Sequence, residues 1–383
     1  MQLLGNWEDA VNATPLVPFD NHVLAFFNDL SLRLTRMREY SDLATFGFWC
    51  RKAALLKEKT NYDDLSLRLG RGVVFHSTPS NVPVNFAFSF AAGLLAGNAN
   101  IVRVPGKDFE QVAIIIDTVK ALLADKHASI APYLCFLRYS PDKVLHDQFS
   151  SVCDVRIIWG GDNTINELRQ SALKPRAMEL TFADRYSIAV INTDEYMKAA
   201  DKQKIAQDFY NDTYFSDQNA CTSPRLIFWI GNRKKEAKET FWKNVHILAK
   251  NQYKLMPVQS IGKLAAFYKT AAALPVTLTH AEDWYVTRVS VGDVNDDIMR
   301  FNYNSGFYFE RDIDALEDIL PICGERCQTL TYYGLTKDEL TAFFLKFRPK
   351  GLDRAVPMGK SMDFTLTWDG YDLIRLLSRR VAL

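Results

Sequence analysis

From residue 72 onward, short β-branched runs alternate with amphipathic stretches, and this rhythm limits the fold more than any other feature of the chain. "GVVFHS" (72–77) predicts a strand, "NFAFSFAAGLLA" (85–96) a helix of small residues and "NIVRV" (100–104) a second strand. The next stretch carries Val112, Ile115, Ile116, Val119, Leu122 and Leu123 at helical spacing. "LCFLRY" (134–139) and "VRIIW" (155–159) are further strands, and "TINELRQSA" (164–172) is a helix. Such alternation predicts an α/β fold with a parallel sheet covered on both faces. The pattern restarts after about residue 190. It predicts helices near 194–209, 234–250, 313–319 and 337–346, and strands near 225–230, 284–291, 307–310 and 328–334. "YDLIRLLSRR" (371–380) predicts a last helix.

The chain has 383 residues, and single cores stop growing at roughly 250 to 300 residues, so two lobes are expected with a boundary near 190. The first 70 residues predict a helical segment that contributes a collar or subunit contacts. Lys and Arg total 46 against 45 for Asp and Glu. That balance supplies no global field for nucleic acid or an anionic membrane, so an anionic ligand needs a local cluster of cations. No uncharged apolar run reaches the length of a membrane span. The opening "MQLLGNWEDAVNATPL" shows no basic stretch ahead of an apolar one, and six cysteines lie scattered at 50, 135, 153, 221, 323 and 327. Reduced thiols in a cytoplasmic protein are the expectation. The histidines never pair at metal-ligand spacing, and the Cys323–Cys327 pair lacks a second pair, so no metal is expected.

Four short stretches carry candidate chemistry, and each has two readings. In "STPSNVPVNF" (77–86) Pro79 and Pro83 bracket Asn81. A rigid amide there either donates to an oxyanion or satisfies its own turn. Arg103 and Lys107 in "GNANIVRVPGKD" sit across a strand end, where they hold phosphates or line a solvated loop. Gly160 and Gly161 in "IIWGGDNTINELR" feed a helix start, which makes an anion site or only a cap. Cys221 in "DQNACTSPRLIFW" is either a nucleophile in a polar turn or a small buried hydrophobe. No G-x-G-x-x-G follows a predicted strand.

Taken together and in this order, these stretches resemble the aldehyde dehydrogenase superfamily: P-x-N-x-P at 79–83, Gly-Asn then a basic residue at 97–103, the turn at 160–161, Glu-Leu at 179–180 and the Cys221 turn. More closely, "HSTPSNVPVNFAFSFAAGLLAGNANIVRVPGKDFEQV", "QTLTYYG" and "GLDRAVPMGKSMDFTLTWDGYDLI" resemble the LuxC-like acyl-CoA reductases over about residues 70 to 383. The resemblance implies an aldehyde-dehydrogenase-like fold, with two Rossmann-type parallel-sheet lobes and the active site between them. Residues 71–190, completed by roughly 350–383, become the dinucleotide-binding domain, and 191–349 the thiol domain. Cys221 matches the superfamily's nucleophile, Asn81 the side-chain half of an oxyanion hole, and Glu179 the position of a general base. The flank "LTFADRYS" departs from the usual two-glycine turn, leaving Glu179 an acid/base candidate only. Arg103 falls where the family usually has a cofactor-contacting lysine and, with Lys107, favours the 2′-phosphate of NADPH, with Gly160 and Gly161 at the pyrophosphate and Pro79 among the cofactor contacts.

The implied activity is NADPH-dependent reduction of an acyl thioester to an aldehyde through a cysteine acyl-enzyme. Acyl-CoA or an acyl carrier is the implied substrate, an acyl-protein synthetase the implied partner, and a homo-oligomer the implied assembly. Neither nucleic acid nor membrane is implied. Two alternatives are an NAD(P)-dependent aldehyde dehydrogenase forming free acid, and a non-redox acyl-carrying or interaction subunit.

Overall fold

The computed structural model describes every residue except 38, 81, 281 and 282, with the backbone alone of His280. The described residues form two compact units, Met1–Ala183 with Phe364–Leu383, and Asp184–Asp363.

In the first unit the strands are β1 (Gln2–Leu4), β2 (Arg68–Gly70), β3 (Val73–Ser77), β4 (Ala99–Arg103), β5 (Leu134–Leu137), β6 (Val155–Trp159) and β7 (Met178–Phe182). Six of them form a sheet in the order β1-β5-β4-β3-β6-β7. The pairs β3–β4, β4–β5, β3–β6 and β6–β7 are parallel, and β1 is antiparallel to β5. Every residue of β3 and β6 is buried, which is why both read as unbroken runs rather than alternating ones. The chain runs outward from β3 to β5, then returns to lay β6 on the other side of β3. This reversal opens a crevice at the carboxyl ends of β3 and β6, where doubly wound sheets take ligands.

Helices cover both faces: α1 (Trp7–Asn12), α2 (Asn21–Leu34), α3 (Ser41–Trp49), α4 (Lys52–Lys59), α5 (Asn85–Leu95), α6 (Glu110–Leu123), α7 (Lys143–Val152) and α8 (Asp162–Leu168). The small-residue helix α5 lies directly on the sheet. A Cβ at Gly93 would stand 2.0 Å from Asn100 Oδ1 and 3.2 Å from His76 Nε2. Residues from α2 and α3, among them Phe27 and Phe46, share one core with Phe86, Phe90 and the returning Ile374. The N-terminal helices are therefore built into this unit. The predicted last helix is shorter than expected: only Leu373–Leu377 is helical, and Ser378–Arg380 instead pairs antiparallel with β2.

The second unit contains β8 (Tyr186–Asn192), β9 (Pro224–Ile230), β10 (Val276–His280), β11 (Thr287–Val291), β12 (Phe307–Asp312), β13 (Cys327–Tyr333) and β14 (Arg354–Pro357). Residue 190, the expected boundary, lies inside β8. The sheet order is β10-β11-β12-β9-β8-β13-β14, parallel except for β10 against β11. Its helices are α9 (Thr193–Lys198), α10 (Lys202–Asp212), α11 (Lys234–Gln252), α12 (Pro257–Ala271) and α13 (Lys337–Phe347). The helix expected over 194–209 is two helices, because Asn192 caps α9 and Asp201 caps α10 separately. The helix expected near 313–319 is a 3₁₀ turn, Leu316–Ile322.

Candidate active site around Cys221

All six cysteines are described; five are buried, and Cys221 alone is partly exposed. Burial pushes the thiols of Cys50, Cys135 and Cys153 up to about 12, and that of Cys327 well above its ordinary value. A thiol of that kind is inert. Local chemistry therefore separates Cys221 from the other five.

The turn that carries Cys221 is locked from both sides. Asp217 and Gln218 stand side by side in left-handed conformations, φ 51° and 52°, at a cost of roughly 1 to 2 kcal/mol each. Side-chain bonds offset that strain. The Asp217 carboxylate accepts from the Tyr253 hydroxyl at 2.5 Å and from Ser305 Oγ at 2.8 Å. The buried Gln218 carboxamide accepts from the Gly306 N–H at 2.7 Å and donates to the Phe307 carbonyl at 3.3 Å. Asn219 Oδ1 accepts from Asn304 at 2.7 Å. The polar "DQN" ahead of the cysteine is thus a clamp onto residues 304–307. A cavity of about 330 Å³ lies beside it, lined by Asp217, Gln259, Asn302, Tyr303, Asn304 and Ser305. A larger one, about 610 Å³, is lined by Leu274, Asp293, Arg300 and Arg311 among others, and holds no predicted site residue.

Beyond the turn, the sulfur sits at the amino ends of β8, β9 and β13. Ser187, on β8, donates its hydroxyl to the Cys221 carbonyl at 2.7 Å. Gln328, on β13, donates from Nε2 to Cys221 Sγ at 3.4 Å. Thr222 donates to the Met362 sulfur at 3.4 Å. The loop containing Met362 is pinned in turn by Asp212, which accepts from the N–H groups of Gly359 and Ser361 at 2.6 and 3.0 Å. Gln328 and Ser187 escaped prediction; the "QTLTYYG" match contained Gln328 but gave no reason to pick it out.

The first unit gathers most of the predicted cofactor residues at one end of its sheet. Thr78 and Pro79 follow β3, Arg103 closes β4, and Gly160 and Gly161 follow β6. Arg103 donates from Nε to the Tyr139 carbonyl at 3.2 Å, and its guanidinium lies 5.2 Å from the Tyr139 ring centre. Its own carbonyl accepts from Thr78 Oγ1 at 2.7 Å, and no described carboxylate pairs with it. Gly161 caps α8 without a side-chain hydrogen bond, and a Cβ there would meet nothing within 4 Å. Lys107 is exposed. Asn81 lies outside the described residues.

Glu179 is placed differently. It pairs with Arg156 in the register of β6 and β7, near the amino ends of both strands and away from Gly160. Its Oε2 accepts from Arg156 Nε and Nη2 at 3.0 and 2.5 Å, and its Oε1 from Arg169 Nε at 2.7 Å. Arg156 also donates to Ser150 Oγ and to the carbonyls of Leu168 and Ser171. Both carboxylate oxygens are thus committed to guanidinium groups that tie β6, β7 and α8 together. This geometry lends no support to an acid/base role for Glu179. Among the described residues, no group of three or more His, Cys, Asp or Glu could hold a metal ion, and no helix is long and apolar enough to cross a membrane.

Two parallel-rich α/β sheets, one with Arg103 at a strand end and the other cradling a partly exposed thiol, have the aldehyde dehydrogenase fold. The NAD-dependent benzaldehyde dehydrogenase of Corynebacterium glutamicum superposes with a TM-score of 0.64 at 14% identity, over 97% of this chain and 86% of that one. The family model described as acyl-CoA reductase (LuxC) matches residues 52–379. The chain belongs to the LuxC acyl-CoA reductase family. Among its curated relatives is the long-chain acyl-protein thioester reductase of Aliivibrio fischeri, 23% identical over 312 residues, or 77% of this chain and 60% of that protein. Another is long-chain acyl-protein thioester reductase 2 of Photobacterium leiognathi, 27% identical over 164 residues, or 43% of this chain and 33% of that protein. The matched stretch thus spans three fifths or less of either relative's length.

Proposed function

We propose that this protein reduces an acyl thioester to an aldehyde through an acyl-enzyme on Cys221, with NADPH as the reductant. The observation that carries the reading is the state of Cys221: one partly exposed thiol among five buried ones, on a turn held in a strained conformation with its sulfur bonded by Gln328. Family membership and the relatives' acyl-thioester chemistry supply the reaction class.

The Cys221 thiolate attacks the carbonyl carbon of the thioester, and the electron pair moves onto oxygen. Asn81 and the Cys221 backbone N–H are the donors proposed for that oxyanion, by resemblance; a side-chain donor of this kind is worth about 3 to 4 kcal/mol. Collapse expels the donor thiolate, CoA or an acyl carrier, and leaves the acyl group on Cys221. A reduced nicotinamide, when bound, would supply the hydride that the acyl carbon takes up. The resulting thiohemiacetal anion on Cys221 expels the sulfur as thiolate and releases aldehyde.

For the cofactor, the first unit offers a fitting donor set. Arg103 is a cation without a described carboxylate partner, and the N–H groups that open α8 lack a side-chain cap. Gly161 follows β6 at the reversal, and Arg103 closes β4, the neighbour of β3, at the same carboxyl end of the sheet. Arg103, with Lys107, would hold the 2′-phosphate, while Gly160, Gly161 and the Pro79 loop would border the pyrophosphate. The oxidative alternative requires a carboxylate to activate water, and the engagement of Glu179 by two arginines disfavours it. Self-association and an acyl-protein synthetase partner belong to the same proposal.

The deciding assay follows NADPH oxidation across a series of acyl-CoA chain lengths, beside Cys221→Ala. Aldehyde should form with the wild-type chain, and intact mass should report an acyl adduct at Cys221 when NADPH is withheld. Undiminished activity in Cys221→Ala, or rapid CoA-independent formation of acid from aldehyde and NADP, overturns the reading.

A further inference from the structure

Around Cys221 the strand register slips twice at the same level of the sheet. Between β8 and β9, Ser187 pairs with Pro224 and the next residue, Ile188, pairs with Leu226, so Arg225 is one residue in excess on β9. Between β8 and β13, Tyr186 pairs with Cys327 and Ile188 with Leu330. There β13 spends two residues, Gln328 and Thr329, where β8 spends only Ser187. A slip of this kind re-aims a side chain that regular pleating would send elsewhere. Each of these two delivers a polar group to the cysteine turn. Gln328, buried to 2% exposure, turns its carboxamide N–H to Cys221 Sγ at 3.4 Å, and Thr329 Oγ1 steadies the other end by donating to its Oε1 at 3.3 Å. Arg225 donates from Nη2 to the Gln218 carbonyl at 2.6 Å and from Nη1 to the side-chain oxygens of Asn302 and Asn304 at 3.0 and 2.7 Å.

Among the described residues, no carboxylate pairs with Arg225, and the partners its guanidinium holds are the neutral oxygens of Gln218, Asn302 and Asn304. Burial lowers its guanidinium, while Asp184, Cys221 and Asp217 are the groups whose charge acts in the other direction. A half-buried cation with only amide and carbonyl partners carries a desolvation cost that an adjacent anion relieves. The guanidinium grips the Cys221 turn itself, at the Gln218 carbonyl, and a sulfur anion on that turn is a charge acting on it in this direction.

We propose that Gln328 and Arg225 hold the Cys221 sulfur as a thiolate, Gln328 by donating the hydrogen bond to it and Arg225 by supplying the positive charge. The inference rests on the reading of Cys221 as the nucleophile and adds two residues that the sequence did not single out. Their part recurs at both ends of the cycle. The N–H of Gln328 bonds the sulfur before attack, when it is an anion. It bonds it again when the carbon–sulfur bond of the thiohemiacetal breaks and the pair of electrons returns to sulfur. In the thioester between these stages the sulfur is neutral and a poor acceptor, so the bond is weakest there. Stabilisation that grows as charge returns to sulfur favours the bond-breaking step.

The test reads the sulfur directly, without a substrate. The full-length chain, Gln328→Met and Arg225→Gln are alkylated with iodoacetamide over pH 6 to 10, and modification at the Cys221 peptide is followed by mass spectrometry. A hydrogen bond to an ionised acceptor exceeds one to a neutral acceptor by about one pH unit's worth of free energy, so alkylation at pH 7 should be about tenfold slower in Gln328→Met. The two rates should converge at high pH, where the sulfur is ionised in both proteins. Arg225→Gln should be slowed similarly, and Arg225→Lys, which keeps the charge, should recover most of the rate. Equal rates at pH 7 for wild type and Gln328→Met overturn the proposal, as does a tenfold gap that persists at high pH, because that reports access rather than ionisation. Far-ultraviolet circular dichroism of each variant excludes misfolding, and Gln328→Glu provides a second variant, with an anion beside the sulfur and a still lower rate expected. The reductase reading fails by a separate observation, undiminished activity in Cys221→Ala, so the two ideas can be refuted independently.

Discussion

Replacing Glu179 with glutamine distinguishes a structural carboxylate from a catalytic one. The Arg156 side chain is 3% exposed and that of Glu179 16%. Removing one partner from a buried pair leaves the other charge uncompensated, a loss of about 3 to 5 kcal/mol. Glutamine is nearly isosteric and keeps one acceptor oxygen, and Arg156 retains its bonds to Ser150, Leu168 and Ser171; together these trim the expected loss to roughly 2 to 4 kcal/mol. The second pair adds little. Arg169 is 53% exposed, and such surface pairs contribute at most about 1 kcal/mol. With a urea dependence of about 2 kcal/mol per molar, the unfolding midpoint of the first unit should fall by roughly 1 to 2 M.

Hydrogen exchange localises the effect. Peptides covering β6 and β7 should exchange faster in Glu179→Gln, while those from β8, β9 and β13 keep their wild-type protection. Turnover of acyl thioester, measured at low temperature where the variant remains folded, should stay within about threefold of wild type, as expected of a carboxylate whose two oxygens are both engaged by arginines. An unchanged midpoint refutes the ion-pair reasoning regardless of activity. A hundredfold loss of turnover with an unchanged midpoint restores Glu179 to the chemistry.

Three further outcomes are expected. His76, buried between Ser89 Oγ at 2.8 Å and Asn100 Oδ1 at 3.0 Å, is lowered by burial to about 4. Its unfolded value is near 6.5, so the unfolded chain takes the proton first as pH falls. The first unit should then lose roughly 3 kcal/mol between pH 6.5 and 4, and a urea midpoint equally pH-dependent in His76→Gln would contradict this. Gly93→Ala places a Cβ 2.0 Å from Asn100 Oδ1 and should destabilise the same unit by about 1 to 3 kcal/mol; a thermal midpoint equal to wild type refutes the close packing of α5. Arg103→Met should raise the KM for NADPH by roughly ten- to a hundredfold, the worth of a charge-assisted bond, and leave the KM for NADH nearly unchanged. Equal effects on both cofactors would remove Arg103 from the 2′-phosphate.

What the sequence disclosed of the fold follows a physical divide. The central strands β3, β4 and β6 and helices α5 and α6 were legible because their signals are local: unbroken β-branched runs for buried parallel strands, and spaced apolar residues for α6. Strand β7, "MELTF", was missed because the half-buried polar residues Glu179 and Thr181 break its apolar run. The split between α9 and α10 was available in the caps Asn192 and Asp201, whose side chains accept from the first-turn N–H groups, but the apolar spacing bridges the break. At the C-terminus "LIRLLSRR" keeps a helical pattern past Leu377, yet Ser378–Arg380 is drawn into a ladder with β2. A strand partner three hundred residues away overrides local propensity.

The site divides along the same line. The turn "DQNACTS" is polar, whereas Cys135 sits in "LCFL" and Cys50 follows "FGFW", and those apolar settings become the burial that raises their thiols; yet the polar turn alone left Cys221 open between a nucleophile and a small buried hydrophobe, and the resemblance singled it out. The general rule for parallel sheets, ligands at the carboxyl ends of the strands, finds Arg103, Gly160 and Gly161 but would lead away from Cys221, which stands at the amino ends of β8, β9 and β13. The chain reaches it from that side by the loop entering β9, so the proposed cofactor end and the thiol-bearing end lie on different sheets and follow different logic. Gln328 and Arg225 were beyond reach for another reason. Each is aimed by a one-residue slip between strands that meet only in the folded unit, and no property of "CQTLTYY" or "PRLIFWI" read alone contains a register. The clamp behaves in the same way: Asp217 and Gln218 read as an ordinary polar turn until residues 304–307 arrive to bond them. Chemistry set by the type of a side chain was therefore legible, and chemistry set by where a strand pairing slips was not. A second slip at the level of Ser187, on the opposite edge of the same strand, places both unforeseen groups around one sulfur.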